Sequence, residues 1–170
     1  AAGIDGALRH PDKEAARKTQ DRVDLLIPIV KAWFTDLGNE IASLGVQIHG
    51  GMGFIEETGA AQHLRDARIL PIYEGTNGIQ ARDLVGRKVA KDGGETMQAL
   101  VADMRTTAAE MKNAPGDDLA AIRKVLEGAA DVLEDATRWV AESAKADLTS
   151  ALAGSVPFLR LAGTALGGWL

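Results

Sequence analysis

The sequence predicts an all-α fold, an antiparallel helical bundle. Three observations carry this. Apolar residues recur at spacings of three and four along most of the chain, Ala and Leu supply the packing volume while aromatic residues are scarce, and no segment alternates convincingly as a strand. A chain of 170 residues can bury roughly 70 % of its unfolded surface, enough for a sizeable core in one or two helical layers. No internal repeat is visible.

The net charge is −5 and no basic cluster stands out, which argues against a nucleic-acid partner. The absence of cysteine excludes a disulfide scaffold, a thiolate metal site and a cysteine nucleophile, and fits a reducing compartment such as the cytoplasm. The opening AAGIDGALRHPDKEAARK has no apolar signal core. The chain does not start with Met and stops at AGTALGGWL inside an apolar pattern, so both ends are expected to be boundaries within a longer polypeptide.

Residues 1–10 read as a loop or a frayed end. A helix is expected after His10, with Pro11 at its first position and Asp12 and Glu14 near the positive end of the dipole. Pro28 marks a kink or break. Val30, Trp33, Phe34, Leu37, Ile41, Leu44 and Ile48 then form one apolar stripe, which Gly50, Gly51 and Gly53 terminate. A short helix over Glu57–Arg68, capped by Glu56 and Glu57, precedes the segment ILPIYEGTNGIQ. A further helix over Asn77–Ala90 follows, with Asn77 and Gln80 as a capping-box-like pair and Thr76 as the competing N-cap.

Gly93 and Gly94 in KDGGE mark the clearest boundary, dividing the chain into domains 1–92 and 93–170. The second half reads as three helices. Met97, Leu100, Val101, Met104, Ala108 and Met111 line the first. NAPGDD breaks the chain, and Asp117 or Asp118 caps the second, whose apolar residues run from Leu119 to Ala144. The third begins near Asp147. From Leu148 to Leu170 only Arg160 is charged, but Pro157 and the Ser and Thr residues favour a buried bundle helix over a membrane span.

Two segments invite chemistry. In VQIHGGMGF the glycines serve either as a helix C-cap and tight turn or as a close-approach surface on which a phosphate or ribose rests, with Gln47 nearby. His49 and His63 lie fourteen apart with no helical His pair, a pattern that does not suit a metal site. Arg65, Asp66 and Arg68 are positioned for local ion pairs. Glu74 ends the apolar run Ile69–Tyr73. It is either a surface glutamate on a pre-helix loop, or a partly desolvated carboxylate that needs a raised pKa or a specific partner and is suited to act as a general base. In the second case Gly75 leaves room for a substrate, and the following helix start offers N–H groups to developing negative charge. That suits proton abstraction beside a carbonyl.

The stretch QIHGGMGFIEETGAAQHLRDARILPIYEGTNGIQ closely resembles the C-terminal helical domain of acyl-CoA dehydrogenases. The carriers are Q-x-x-G-G-x-G-aromatic at Gln47–Phe54 and R-D-A-R-x-x-x-I-Y-E-G-T at Arg65–Thr76. The resemblance covers roughly residues 20–90, and residues 94–170 resemble the additional helical domain of longer members. It implies oxidation of an acyl-CoA thioester to 2-enoyl-CoA with FAD. Glu74 is then the base for the α-proton, its N–H helps polarise the thioester carbonyl, and the β-hydrogen leaves as hydride to the flavin. By the same resemblance Gly75 touches substrate, and Thr76, Asn77 and Gly78 contact FAD. Gln47, Ile48, His49, Gly50 and Gly51 contact the FAD of a neighbouring subunit, which implies a homodimer or homotetramer. An electron-transfer flavoprotein is the expected electron acceptor.

Gln62 departs from the Lys or Arg of many members, and His49 stands at a variable position. The β-domain and N-terminal helical domain of the family are not in this sequence, so the chain alone is expected to be inactive and to carry no stoichiometric flavin. The wording leans toward the larger members of the family. The alternatives are a non-catalytic helical interaction or oligomerisation module, and a flavoenzyme of the acyl-CoA oxidase type. Retention of Glu at position 74 argues against a nitroalkane oxidase.

Overall fold

One long helix organises the molecule. In the computed structural model, which describes residues 2–113 and 116–170, α2 spans 36 residues, Lys13–Ile48. Asp12 is its N-cap, its carboxylate accepting from the Glu14 N–H at 2.9 Å, so the helix begins two residues later than Pro11 suggests. It also runs through Pro28 without a break. An interior proline costs about 3 kcal/mol. Pro28 is buried between Leu25 and Ile29, and burying such aliphatic side chains returns roughly 1.5–3 kcal/mol each.

The expected loop at residues 1–10 is instead mostly a helix, α1 (Ala2–Arg9). An Asp5–Arg9 ion pair at 3.0 Å bridges one turn, and α1 packs back on α2, where Gly6 lies against Thr19.

After α2 the chain makes a short helical turn, α3 (Gly51–Phe54), a 3₁₀ turn at Glu56–Thr58, and α4 (Ala60–Ile69). Glu56 and Glu57 do not cap α4. Left-handed Gly59 does, and Glu56 instead pairs with Arg65 at 2.7 Å. Next come α5 (Asn77–Asp83), a π-helical segment at Leu84–Val89 and α6 (Ala90–Asp92). Gly93 and Gly94 both have positive φ. The Asp92 carboxylate accepts from the Gly94 and Thr96 N–H groups at 2.8 and 2.9 Å and so starts α7 (Glu95–Glu110).

A 3₁₀ turn at Met111–Asn113 leads toward α8 (Asp117–Ala146); Ala114 and Pro115 of the expected NAPGDD break lie outside the described residues. Gly116 occupies the N-cap of α8 with no side-chain hydrogen bond, and Asp117 and Asp118 fall in the first turn. The expected last helix is divided at Gly154 into α9 (Leu148–Ala153) and α10 (Ser155–Trp169). Among the described residues there is no strand, and no helix is long and apolar enough to cross a membrane.

Helices α7 and α8 pack as an antiparallel pair, and α10 lies against both α8 and α2. One continuous core results. Leu25, Ile29 and Ala32 from α2 meet Leu84, Val85 and Val89 of the π segment, Leu100 and Met104 of α7, Leu133 of α8, and Phe158 and Ala162 of α10. The face of α2 in this core is not the predicted stripe. Val30, Phe34, Ile41, Leu44 and Ile48 are exposed, Ile48 by 83 %, and Trp33 and Leu37 are half-buried. The helix carries two apolar faces, and this chain supplies a full partner for one. Helix α8 behaves alike: Leu126, Leu133 and Val140 are buried, whereas Ile122, Val125, Val132 and Trp139 are exposed.

The two halves of the chain interlock at Trp33. Its ring lies over Gly163 and Gly167 of α10, where added Cβ atoms would fall 2.3 Å from Trp33 Cγ and 2.5 Å from Cη2. Only glycine admits that approach. Gly163→Ala should therefore lower stability by about 1–3 kcal/mol, as overpacking does. Urea denaturation followed by tryptophan fluorescence checks this, and an unchanged midpoint contradicts the interlock.

Asp147 caps α9, accepting from the Thr149 and Ser150 N–H groups at 3.0 and 3.2 Å. The Ser150 hydroxyl, then the Thr149 N–H, hold its carboxyl below the ordinary aspartate range. A depressed folded-state pKa contributes stability above the unfolded value, and that stability is lost as pH falls through the folded value. Asp147→Ala should thus be less stable than the parent at neutral pH, with the gap closing below about pH 4. Denaturation midpoints across that range test this, and a gap that persists in acid refutes it.

Candidate active site at the Glu74 turn

After α4 the chain folds over itself. The Ile72 and Tyr73 N–H groups donate to the Ile69 carbonyl at 3.0 and 3.2 Å. Glu74 and Gly75 follow with φ of 51° and 85°. Glu74 is the sole non-glycine residue with positive φ among the described residues. Left-handed backbone costs an L-residue about 1–2 kcal/mol, so the surroundings must impose it.

The carboxylate itself is exposed, correcting the expectation of a sheltered group. The apolar run before it does not cover it, because Ile69, Ile72 and Tyr73 are exposed too. Among the described residues the Glu74 side chain has no hydrogen-bond or ion-pair partner, and its N–H has no backbone acceptor. What the chain fixes is the backbone that carries the carboxylate. Lys31 Nζ donates to the Gly75 carbonyl at 2.7 Å and to Asn77 Oδ1 at 3.0 Å. Gln80 Nε2 donates to the Glu74 carbonyl at 3.3 Å, and the Asn77 N–H donates to the Pro71 carbonyl at 3.1 Å.

Of the two capping candidates, Thr76 prevails over Asn77. Thr76 is the N-cap of α5, its hydroxyl accepting from the Ile79 N–H at 3.4 Å. Asn77 turns into α2, where the two hydrogens of its Nδ2 are shared among the Ala32 carbonyl, Thr35 Oγ1 and Asp36 Oδ1 at 3.0, 3.0 and 2.7 Å. The Asn77 side chain is therefore committed within the protein. Gly78 beside it remains exposed.

An open groove of about 920 Å³ runs along this junction. Asp36, Asn39, Leu44, Leu64 and Ile72 line it together with Thr76, Asn77 and Gly78. Asn39 Nδ2 donates to the Thr35 and Ala67 carbonyls at 2.8 and 3.0 Å and so ties α2 to α4. Asn39 Oδ1, in the groove wall, is the one buried side-chain polar atom without a partner among the described residues. Lys31, Thr35 and Asn39 are spaced by four and lie on one line of α2. That polar line beside an apolar stripe is the signal sequence reading passed over.

The glycine segment does not join this groove. Gln47, Ile48, His49, Gly50 and Gly51 are all exposed at the C-terminal end of α2, and Gln47 lies about one turn beyond Leu44, the last α2 residue that lines the groove. Gly50 has φ of 60°, and added Cβ atoms at Gly50 or Gly51 would meet nothing within 4 Å. Gly53 differs: an added Cβ would fall 2.3 Å from the Val46 carbonyl oxygen, so close packing alone demands glycine there.

This is a helical module that presents a carboxylate on a strained turn beside a groove, with a glycine-rich edge elsewhere on the same helix. Residues 7–90 match the family model "Acyl-CoA dehydrogenase, C-terminal domain", and residues 98–170 match "Acetyl-CoA dehydrogenase C-terminal like". The chain belongs to the acyl-CoA dehydrogenase family. It is 46 % identical over 160 residues to 3-methylmercaptopropionyl-CoA dehydrogenase of Ruegeria pomeroyi, covering 94 % of this chain and 27 % of the relative. It is 33 % identical over 139 residues to a butyryl-CoA dehydrogenase of Syntrophomonas wolfei, covering 80 % and 23 %. With the long-chain specific acyl-CoA dehydrogenase of Rattus norvegicus it shares 41 % over 64 residues, 38 % and 15 % of the two chains. The chain thus spans about a quarter of the length of the first two relatives.

Asn77→Ala removes the amide that joins the turn to α2 and strands its partners in a half-buried place. The expected cost is about 1–3 kcal/mol in urea denaturation. A variant as stable as the parent contradicts the junction described here.

Proposed function

We propose that this chain contributes the catalytic base and part of the flavin-binding surface of an FAD-dependent acyl-CoA dehydrogenase acting on an acyl-CoA thioester. The single observation that carries this reading is the left-handed Glu74–Gly75 turn, in which a glutamate is held in a conformation its side chain disfavours. Family membership supplies the reaction class.

The surface fits a flavin nucleotide. The Thr76–Gly78 backbone lines a groove with aliphatic walls at Leu44, Leu64 and Ile72, and the Gly50–Gly51 edge leaves backbone open to close approach. Bound FAD supplies the acceptor for the hydride that leaves the β-carbon. Glu74 takes the α-proton, and the free N–H of Glu74 donates to the thioester carbonyl oxygen as charge develops there. Gly75, left-handed with Gln80 packed on its Cβ side, is the residue beside the carboxylate that touches substrate. The exposure of Gln47–Gly51 outside the groove lining supports the assignment of that segment to the flavin of a neighbouring copy, in a homodimer or homotetramer.

On the same reading an electron-transfer flavoprotein accepts the electrons and the protein works in the cytoplasm. Residues 1–92 and 93–170 are then two sequence units that share one core, a division supported by the gap between the two matched regions. A non-catalytic oligomerisation module accounts for the exposed stripe on α2 but leaves the strained glutamate unexplained.

The test is Glu74→Gln in the full-length protein. Turnover with acyl-CoA should fall by about 10²- to 10⁴-fold, the usual contribution of a general base, with the flavin spectrum retained. Near-normal turnover removes Glu74 from the role.

A further inference from the structure

We infer that Lys31 is a positioning residue whose ammonium group holds the Glu74–Gly75 turn in its left-handed form and thereby aims the Glu74 carboxylate; this rests on the reading of Glu74 as the base. Lys31 is half-buried on α2, forty-three positions before Glu74, and pairs with no carboxylate among the described residues. Two of its three donors go to the turn: 2.7 Å to the Gly75 carbonyl and 3.0 Å to Asn77 Oδ1.

The Gly75 carbonyl belongs to the second of two consecutive left-handed residues. Fixing it restricts the peptide plane that follows, and with Asn77 pinned from the other side the turn has little freedom to relax to negative φ. The other holds on the turn are weaker or indirect. Gln80 reaches the Glu74 carbonyl at 3.3 Å through an amide on α5, an element that itself moves with the turn. Among the described residues, Lys31 alone reaches across from α2 to the turn's own backbone. A charged donor also makes the stronger bond. An ordinary half-buried lysine would pair with a carboxylate or extend to solvent. This one is directed at carbonyl oxygens, as a strained turn requires.

The experiment compares Lys31→Met, Lys31→Arg and the parent in the full-length protein, by steady-state kinetics with acyl-CoA and by amide hydrogen exchange. Lys31→Met keeps the stem and removes the donor. It should lower kcat by about 10²-fold with KM little changed, as misplacing a catalytic group does. Exchange should quicken over residues 72–78 while α7 and α8 stay as protected as in the parent. Lys31→Arg should restore most of kcat and the protection. Turnover in Lys31→Met within twofold of the parent overturns the inference, as does faster exchange spread evenly over every helix. If Glu74→Gln keeps its turnover, the base assignment fails separately, and the exchange measurement still decides whether Lys31 holds the turn.

Discussion

The Asn77 side chain spends its hydrogen-bonding capacity on one helix, and the placement of the Glu74 turn follows from that. Its amide nitrogen donates into the backbone and side chains of α2 at Ala32, Thr35 and Asp36, and its oxygen accepts from Lys31. The next element, α5, is thereby registered against α2 at its first residue. Everything between α4 and α5 must fit the space that remains, and the chain meets that demand with two consecutive left-handed residues. The strain at Glu74 is thus imposed from outside the turn. On the other side of α2, one residue from Ala32, Trp33 seats on the glycine notch of α10, so the second half of the chain steadies the same stretch of helix.

The fold class was legible because helical periodicity is a local property. The polar corner at Gly93 and Gly94 and the apolar line of α7 followed from the same rules. The choice of buried face on α2 did not. Val30, Phe34 and Ile41 form as good a stripe as Leu25, Ile29 and Ala32, and which one enters the core depends on partners distant in sequence. Pro28 was misleading for the same reason: its local penalty is offset by burial that no single window displays. Residues 1–10 looked like a loop because two glycines weaken a helix that here leans on α2.

The turn at Glu74 and Gly75 ahead of a helix start was legible in the sequence, and the exposure of the glutamate was not. An apolar run in sequence is a statement about composition, and in this chain Ile69, Ile72 and Tyr73 face outward with the glutamate. Asn77 resembled a capping residue because Asn commonly is one, yet tertiary hydrogen bonds to α2 outcompeted the local bond and left Thr76 to cap. Lys31, Thr35 and Asn39 escaped notice because polar residues at a spacing of four are usually a solvated face.

The π-helical segment at Leu84–Val89 carries a consequence for how this region tolerates change in length. A π turn accommodates one residue more than an α turn in the same rise. Deleting one residue there would let the backbone relax into uninterrupted α-helix while both flanks kept nearly their present phase, so Asn77 would stay at its dock on α2 and Gly94 against Thr137 of α8. Removing a residue from a regular α-helical stretch such as α7 would instead rotate one end by about 100° relative to the other. The π turn is therefore slack in the chain, a place where one residue can be lost without turning either end out of register.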